Sequence, residues 1–380
     1  MKSKIINNTV TSLKYKFDDD NIIALREHQQ QFVTEIEDYP SDKYHGEGIV
    51  YTAGGVNYVT CAYVSISALR HKGCKLPIEI WYVGNEITSY VITQFDGLDV
   101  QFRDLLDYEN IKSTGYYLKP LAILHSRFER VLFLDCDNVA YQDPSFLFAS
   151  DEFNASGAIF WPDYWRTNPE NPIWKIIGSP IDCSDIEQES GQLLINKKAC
   201  WKALNLCVYF NKYSDYYYKL LEGDKDTFRF AWIALETDFI MVPYLPASLG
   251  IVEGTSFFGN TMVQHDFSGK ILFLHRNLMK WGITLKGEKF WTTLKSFRTD
   301  AKKTFVNHKQ RGMRTMIDLS GDVDTVEISK DISKLEDICL GYLESWRSSE
   351  LYLRYIEHMY FVNARFGLRF DSESDLADGK

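Results

Sequence analysis

No Cys-x-x-Cys pair, no apolar run long enough to cross a bilayer, no internal repeat and no low-complexity tract occurs in these 380 residues. The seven cysteines, at positions 61, 74, 136, 183, 200, 207 and 339, are scattered and odd in number. That pattern argues against a zinc site or a disulfide framework, and reduced thiols in a cytosol-like compartment are expected. Positive charge is also short: 42 Lys and Arg face 52 Asp and Glu, a net −10. A nucleic-acid binder whose affinity rests on phosphate neutralisation is therefore disfavoured. Met1 to Asn21 is polar and charged, without the apolar stretch of a signal peptide or a membrane anchor, so a soluble protein is expected.

What is present is core-forming material. Hydrophobic residues make up 45% of the chain, which excludes wholesale disorder. Aromatics reach 15%, enough to stack on bases and sugars as well as to fill a core. Residues 1–45 read as a polar, partly helical segment, with Asn21 or Asp20 capping Ile22-Ile23-Ala24-Leu25. From Gly46 strands and helices alternate. Gly48 to Thr52 and Leu76 to Val83 have strand character, and Tyr58 to His71 carries apolar residues at helical spacing. Val100 to Arg103 reads as a strand and Leu118 to Ser126 as a helix. This alternation over 46–150 predicts an α/β fold with a parallel, doubly wound sheet, within a domain taken to span 46–300. Pro162 to Pro180 reads as a long loop, and residues 301–380 as a helical carboxy-terminal extension. The amphipathic stretches of that extension fit packing on the sheet, or contact with a partner or a membrane surface.

One stretch concentrates the chemistry. Val131-Leu132-Phe133-Leu134 runs straight into Asp135-Cys136-Asp137, an apolar strand ending in two carboxylates. Open α/β sheets bind ligands at that end of their strands. If strand geometry persists, both aspartates point the same way and repel unless a cation lies between them. Hard oxygen donors suit Mn²⁺ or Mg²⁺, which also take substrate phosphates. The alternative is a surface turn, since Asp-x-Asp is common by chance.

Further stretches resemble one family. Tyr117-Leu118-Lys119-Pro120-Leu121-Ala122, Gly157 to Trp165, Glu189 to Ile195, Gly223 to Trp232, and Gly269 through Phe273-Leu274-His275-Arg276-Asn277-Leu278-Met279-Lys280-Trp281 resemble motifs of the fungal Golgi α-mannosyltransferases that extend and branch mannan. With the Asp135–Asp137 strand, the resemblance runs in order from about Gly48 to Trp281. More distantly the order is similar to the glycogenin-like retaining glycosyltransferases. The resemblance implies a GT-A type nucleotide-sugar-binding domain and a retaining transferase. It would move mannose or glucose, from GDP-mannose or UDP-glucose, to a hydroxyl on a glycan or protein. The missing anchor departs from the fungal pattern and suggests a bacterial, viral or translocated-effector version of the domain, acting in the cytoplasm or in a host cytosol. Other enzymes with carboxylate–metal–diphosphate chemistry, namely nucleotidyltransferases and phosphohydrolases, remain open, as does an inactive carbohydrate-binding adaptor.

The resemblance also suggests roles. His275 would join Asp135 and Asp137 as a metal ligand, with His265 as its rival. Lys119 would touch the donor, and Asp135 would meet both donor and metal. Thr52, Ala53, Gly54 and Gly55, at the end of the first strand, would face the base and ribose. Lys280 and Arg276 are candidates for the diphosphate, where negative charge grows as it leaves. Trp161, Asp163 and Trp165 read as sugar-stacking and hydroxyl-binding groups or, for the two tryptophans, as core. Gly191 permits close backbone approach to the donor. Gln192, Asp224 and Asp226 are the candidates for catalytic contacts with the sugar. Two acids at a helix start are equally explained by the helix dipole.

Overall fold

The apolar runs of the first half become the strands of one sheet in the computed structural model, which describes residues 9–13, 15, 17–111, 115–181, 186–221 and 223–366. In chain order they are β1 (Glu47–Thr52), β2 (Ile78–Tyr82), β3 (Val100–Asp104), β4 (Arg130–Leu134), β5 (Asn138–Ala140), β6 (Ala158–Arg166), β7 (Ile186–Asn196) and β8 (Ile240–Met241). All but β5 pair in the order β3-β2-β1-β4-β7-β6-β8. The first four positions are parallel, and β7 runs antiparallel to both of its neighbours. Helices Gly55–His71 and Leu118–His125 lead from β1 to β2 and from β3 to β4. The chain works outward from β1 to β3 and then returns to β4, so a switch point lies between β1 and β4, where such sheets bind ligands. Side chains alternate across the sheet: Ile49, Tyr51, Leu132 and Leu134 enter the core on one face, and Val50, Val131 and Phe133 that on the other. Burial on both faces explains why β4 reads as an unbroken apolar run.

A second sheet was not legible in the sequence. It contains β9 (Ala247–Glu253), β10 (Ser256–His265), β11 (Ile271–His275), β12 (Thr293–Phe297), β13 (Thr304–Arg311), β14 (Arg314–Gly321) and β15 (Val323–Glu327). The order is β13-β14-β10-β9-β12-β15, with β11 pairing to β10 and to β5. Through β5, this sheet is joined to the end of β4.

Three expectations change. The stretch after residue 300 is not helical throughout, because β13–β15 occupy its first part. Helices Lys330–Arg347 and Glu350–Phe366 follow, and the first of them packs on Gly55–His71. There Trp346 donates its indole N–H to Thr60 Oγ1 at 2.9 Å and stacks on Tyr63 at 4.7 Å. The stretch from Pro162 to Pro180 is not a single loop either: β6 continues to Arg166 because it pairs with β7, and Ile173–Ile177 is helical. The amino-terminal helix, Asp19–Glu35, is capped by Asp18 rather than Asn21 or Asp20; Asp18 accepts from the Asn21 N–H at 2.8 Å. Six cysteines are buried free thiols, and Cys183 lies outside the described residues. Among the described residues no helix is long and apolar enough to cross a membrane.

Candidate active site

β4 ends at Leu134, one residue before the first aspartate. Strand alternation therefore does not bring Asp135 and Asp137 together, contrary to expectation. A turn does so, closed by the Asn138 N–H donating to the Asp135 carbonyl at 3.0 Å. His275 arrives from the second sheet: β11 pairs with β5, which sets His275 opposite Asn138. The result is a cluster in which ligand atoms of Asp135, Asp137 and His275 all lie within 4.8 Å of one another. His275 Nε2 is 3.1 Å from Asp137 Oδ1 and 3.7 Å from Asp135 Oδ2, and its Nδ1 is 3.4 Å from Glu189 Oε1.

β10 and β11 form a hairpin about Gly269, and its register chooses between the two histidines. His275 pairs with Met262, while His265 lies by the turn, opposite Ile271. Burial pulls the His265 imidazole down to about 4, and it sits beside Tyr244 rather than the aspartates.

Lysines surround the cluster. Lys280 Nζ lies 2.5 Å from Asp137 Oδ2 and 5.5 Å above the Tyr58 ring. Lys119 bridges Asp135 at 3.1 Å and Asp224 at 3.0 Å, and donates to Ser190 Oγ at 2.9 Å. Lys225, which the sequence did not single out, holds Asp163 at 2.7 Å and Glu187 at 2.6 Å. Its only sequence signal was a lysine between two aspartates. Burial alone would raise Asp137, but Lys280 and His275 outweigh it and hold the carboxyl far below the usual range. Burial likewise opposes charge on His275, yet Asp137 and Glu189 push the imidazole up to about 10. A site that draws a proton this strongly is one where a divalent cation finds its charge matched, and two carboxylates with one imidazole are a set of ligands that can hold one.

Asp135, Asp137, His275, Glu189 and the three lysines line a cleft of about 610 Å³ at the carboxyl ends of the parallel strands. Of the remaining expected donor contacts, Thr52, Ala53, Gly54 and Asp163 also line it. Gly55 does not; it begins the following helix with φ of +72°, a conformation that favours glycine.

Four other candidates are turned away from the cleft by burial. Trp161 is fully buried, packs edge-on against Phe273 and donates its indole N–H to the His265 carbonyl at 2.8 Å. Arg276 is fully buried beneath Trp281, donates to Thr284 Oγ1 at 3.0 Å and faces Glu336 at 3.5 Å. Gln192 accepts from Asn138 Nδ2 at 2.7 Å, inside the sheet. Asp226 sits below the cleft, paired with Arg229 at 3.2 Å. Gly191 lies behind His275 rather than on the cleft wall.

The mannosyltransferase family Mannosyl_trans3 matches residues 46–187 and 181–266, more than half of the chain. The chain belongs to this family. Among its relatives, the α-1,2-mannosyltransferase MNN21 of Candida albicans is 31% identical over 332 residues, covering 68% of this chain and 50% of the relative. The α-1,2-mannosyltransferase MNN5 of Saccharomyces cerevisiae is 29% identical, covering 58% of this chain and 49% of the relative. The chain spans about half the length of these curated relatives. The solved mannosyltransferase Ktr4p from S. cerevisiae aligns with a TM-score of 0.36 and 12% identity, over 62% of this chain and 81% of that one. The mannosyltransferase family match spans the strands from β1 to β10, and so includes Asp135 and Asp137 but ends before His275.

Proposed function

We propose that this chain is a retaining, metal-dependent GT-A mannosyltransferase that moves mannose from GDP-mannose to a hydroxyl of a glycan. The observation that carries the reading is the convergence of Asp135, Asp137 and His275 between Lys119 and Lys280 at the β1–β4 switch point. Asp135, Asp137 and His275 would hold Mn²⁺ or Mg²⁺, which when bound supplies positive charge to the leaving diphosphate. Lys280 and Lys119 add fixed positive charge at the place where negative charge grows. Residues 46–300 would carry the transfer. Residues 1–45 would buttress them, and the segment from 301 onward contributes Ile317 to the cleft wall. The names of the relatives support mannose as the sugar and a glycan hydroxyl as the acceptor.

Retention fits the pairing of the acids at the β6–β7 end of the cleft. Asp163 and Glu187 are held by Lys225, and Asp224 by Lys119. Glu189 accepts from the Gly191 N–H at 2.6 Å and faces His275. An inverting site needs a carboxylate free to take the acceptor proton from the face opposite the leaving group. Here each of these acids is already held, by a lysine or, for Glu189, by the Gly191 N–H and the His275 ring.

Incubation with GDP-mannose or UDP-glucose, Mn²⁺ and an α-linked mannose oligosaccharide tests the proposal. The expected result is GDP release matched by a new α-mannoside, seen by NMR before anomeric equilibration and abolished by a chelator. Release of free sugar alone would indicate a hydrolase, and a β-anomeric signal would refute retention.

A further inference from the structure

The cleft holds one carboxylate that the transfer chemistry leaves unused. Glu86 lies in the helical turn Gly84–Glu86 just after β2 and lines the cleft together with Tyr58, Trp81 and Tyr82. Its Oε2 accepts from the Val83 N–H at 3.1 Å, and among the described residues no Lys or Arg pairs with it. Space for it exists because residue 54 is glycine: a Cβ there would lie 2.1 Å from Glu86 Oε2. The loop is held from outside by the last helix. The Tyr355 hydroxyl donates to the Glu86 carbonyl at 2.7 Å, and His358 Nε2 donates to the Asn85 carbonyl at 3.1 Å.

The two ends of the cleft differ in chemistry. At the β6–β7 end stand Asp163, Glu189, Ser190, Asp224 and Lys225, polar groups suited to sugar hydroxyls, together with Tyr164 and Trp165. At the β1–β2 end stand aromatic rings and Glu86. The Asp135–Asp137 turn lies between them, at the end of β4. A nucleotide sugar with its diphosphate at that turn would therefore extend its sugar toward β6 and β7, and its base toward β1 and β2.

We infer that Glu86 reads the donor's base and selects guanine. This rests on the transferase reading above. Guanine presents N1–H and the 2-amino group side by side, two donors that match the two oxygens of a carboxylate. Uracil presents one N–H flanked by two carbonyl oxygens, which a carboxylate repels. A desolvated acceptor left without its donor is penalised, so the wrong base is rejected rather than merely held less well. Glu86 is half-buried, and burial pushes its carboxyl up to about 7 with no cation beside it to offset the rise.

The test is calorimetric titration of the full chain with GDP, inosine diphosphate and UDP in Mn²⁺, for the native protein and for Glu86→Gln. Inosine diphosphate keeps N1–H and lacks only the 2-amino group. The native protein is expected to bind GDP about tenfold or more tightly than either competitor. Glu86→Gln should weaken GDP about tenfold while leaving UDP nearly unchanged, with a cooperative melting transition showing that the variant is folded. Equal binding of GDP and inosine diphosphate by the native protein, or a preserved GDP preference in the variant, would overturn the assignment of Glu86. Failure of all three nucleotides to bind in Mn²⁺ would instead overturn the transferase reading on which it rests.

Discussion

Gly191 and His275 are packed so closely that a Cβ at position 191 would lie 2.4 Å from the histidine Nδ1. Neither can retreat easily. The Gly191 carbonyl accepts from the Asp135 N–H at 2.9 Å and from Asn138 Nδ2 at 2.7 Å, which pins its backbone to the acidic turn. His275 is held by Asp137 and Glu189. Gly191→Ala is therefore expected to displace the imidazole and weaken Mn²⁺ binding by about 10–100-fold, the range seen when a ligand's supporting contacts are lost. Mn²⁺ titration by electron paramagnetic resonance checks this. Native affinity in a folded variant would remove His275 from the ligand set.

Asp135 and Asp137 are expected to differ in what their removal does. Either alanine variant should abolish transfer. The Asp135 side chain keeps 24% of its exposure, whereas that of Asp137 keeps 2% and pairs with both Lys280 and His275. Removing one partner of a buried pair typically costs about 3–5 kcal/mol, so Asp137→Ala should also melt well below the native protein while Asp135→Ala does not. Thermal melts and turnover measured together decide it; transfer near the native rate in either variant would dismantle the proposed metal site.

Glu86 gives the protein a pH signature. Burial raises it from an ordinary 4.5 to about 7, so the folded state binds more protons than the unfolded one between those values. The stability it confers is complete below about pH 4.5 and is lost as pH rises through about 7. Glu86→Gln should match the native protein at pH 4.5 and exceed it at pH 8 by about 1–3 kcal/mol, a figure reduced for the solvent that reaches the cleft. Chemical denaturation at the two pH values measures the gap. A gap that does not change with pH would show that the carboxylate is not desolvated.

Tyr355 ties the last helix to the β1–β2 end of the cleft through the Glu86 carbonyl. Tyr355→Phe should cost about 0.5–1.5 kcal/mol and speed hydrogen exchange locally at Val83 to Glu86. Exchange followed by mass spectrometry would show it, and unchanged protection across that loop would mean the helix does not brace it.

The sequence by itself determined the local features of this protein. The apolar run Val131 to Leu134 had to be a doubly buried strand, and the acids after it had to stand at its carboxyl end. Strand–helix alternation from Gly46 onward dictated the parallel half of the first sheet, because periodicity and turn residues act over a few positions. The tertiary structure decided which members of each candidate pair reach the cleft. His275 is chosen over His265 by the β10–β11 register and by the pairing of β11 with β5, a contact between segments far apart in the chain. Lys280 faces the site, whereas Arg276, four residues before it, turns inward to Thr284 and Glu336. Asp224 meets Lys119 while Asp226 is carried to Arg229, since two residues at a helix start point to nearly opposite sides. Glu86 and Lys225 gain their meaning from neighbours that only folding supplies. Local pattern sets which residues are strand, helix or turn, but which side chains meet is set by long-range register and by which charges find a buried partner.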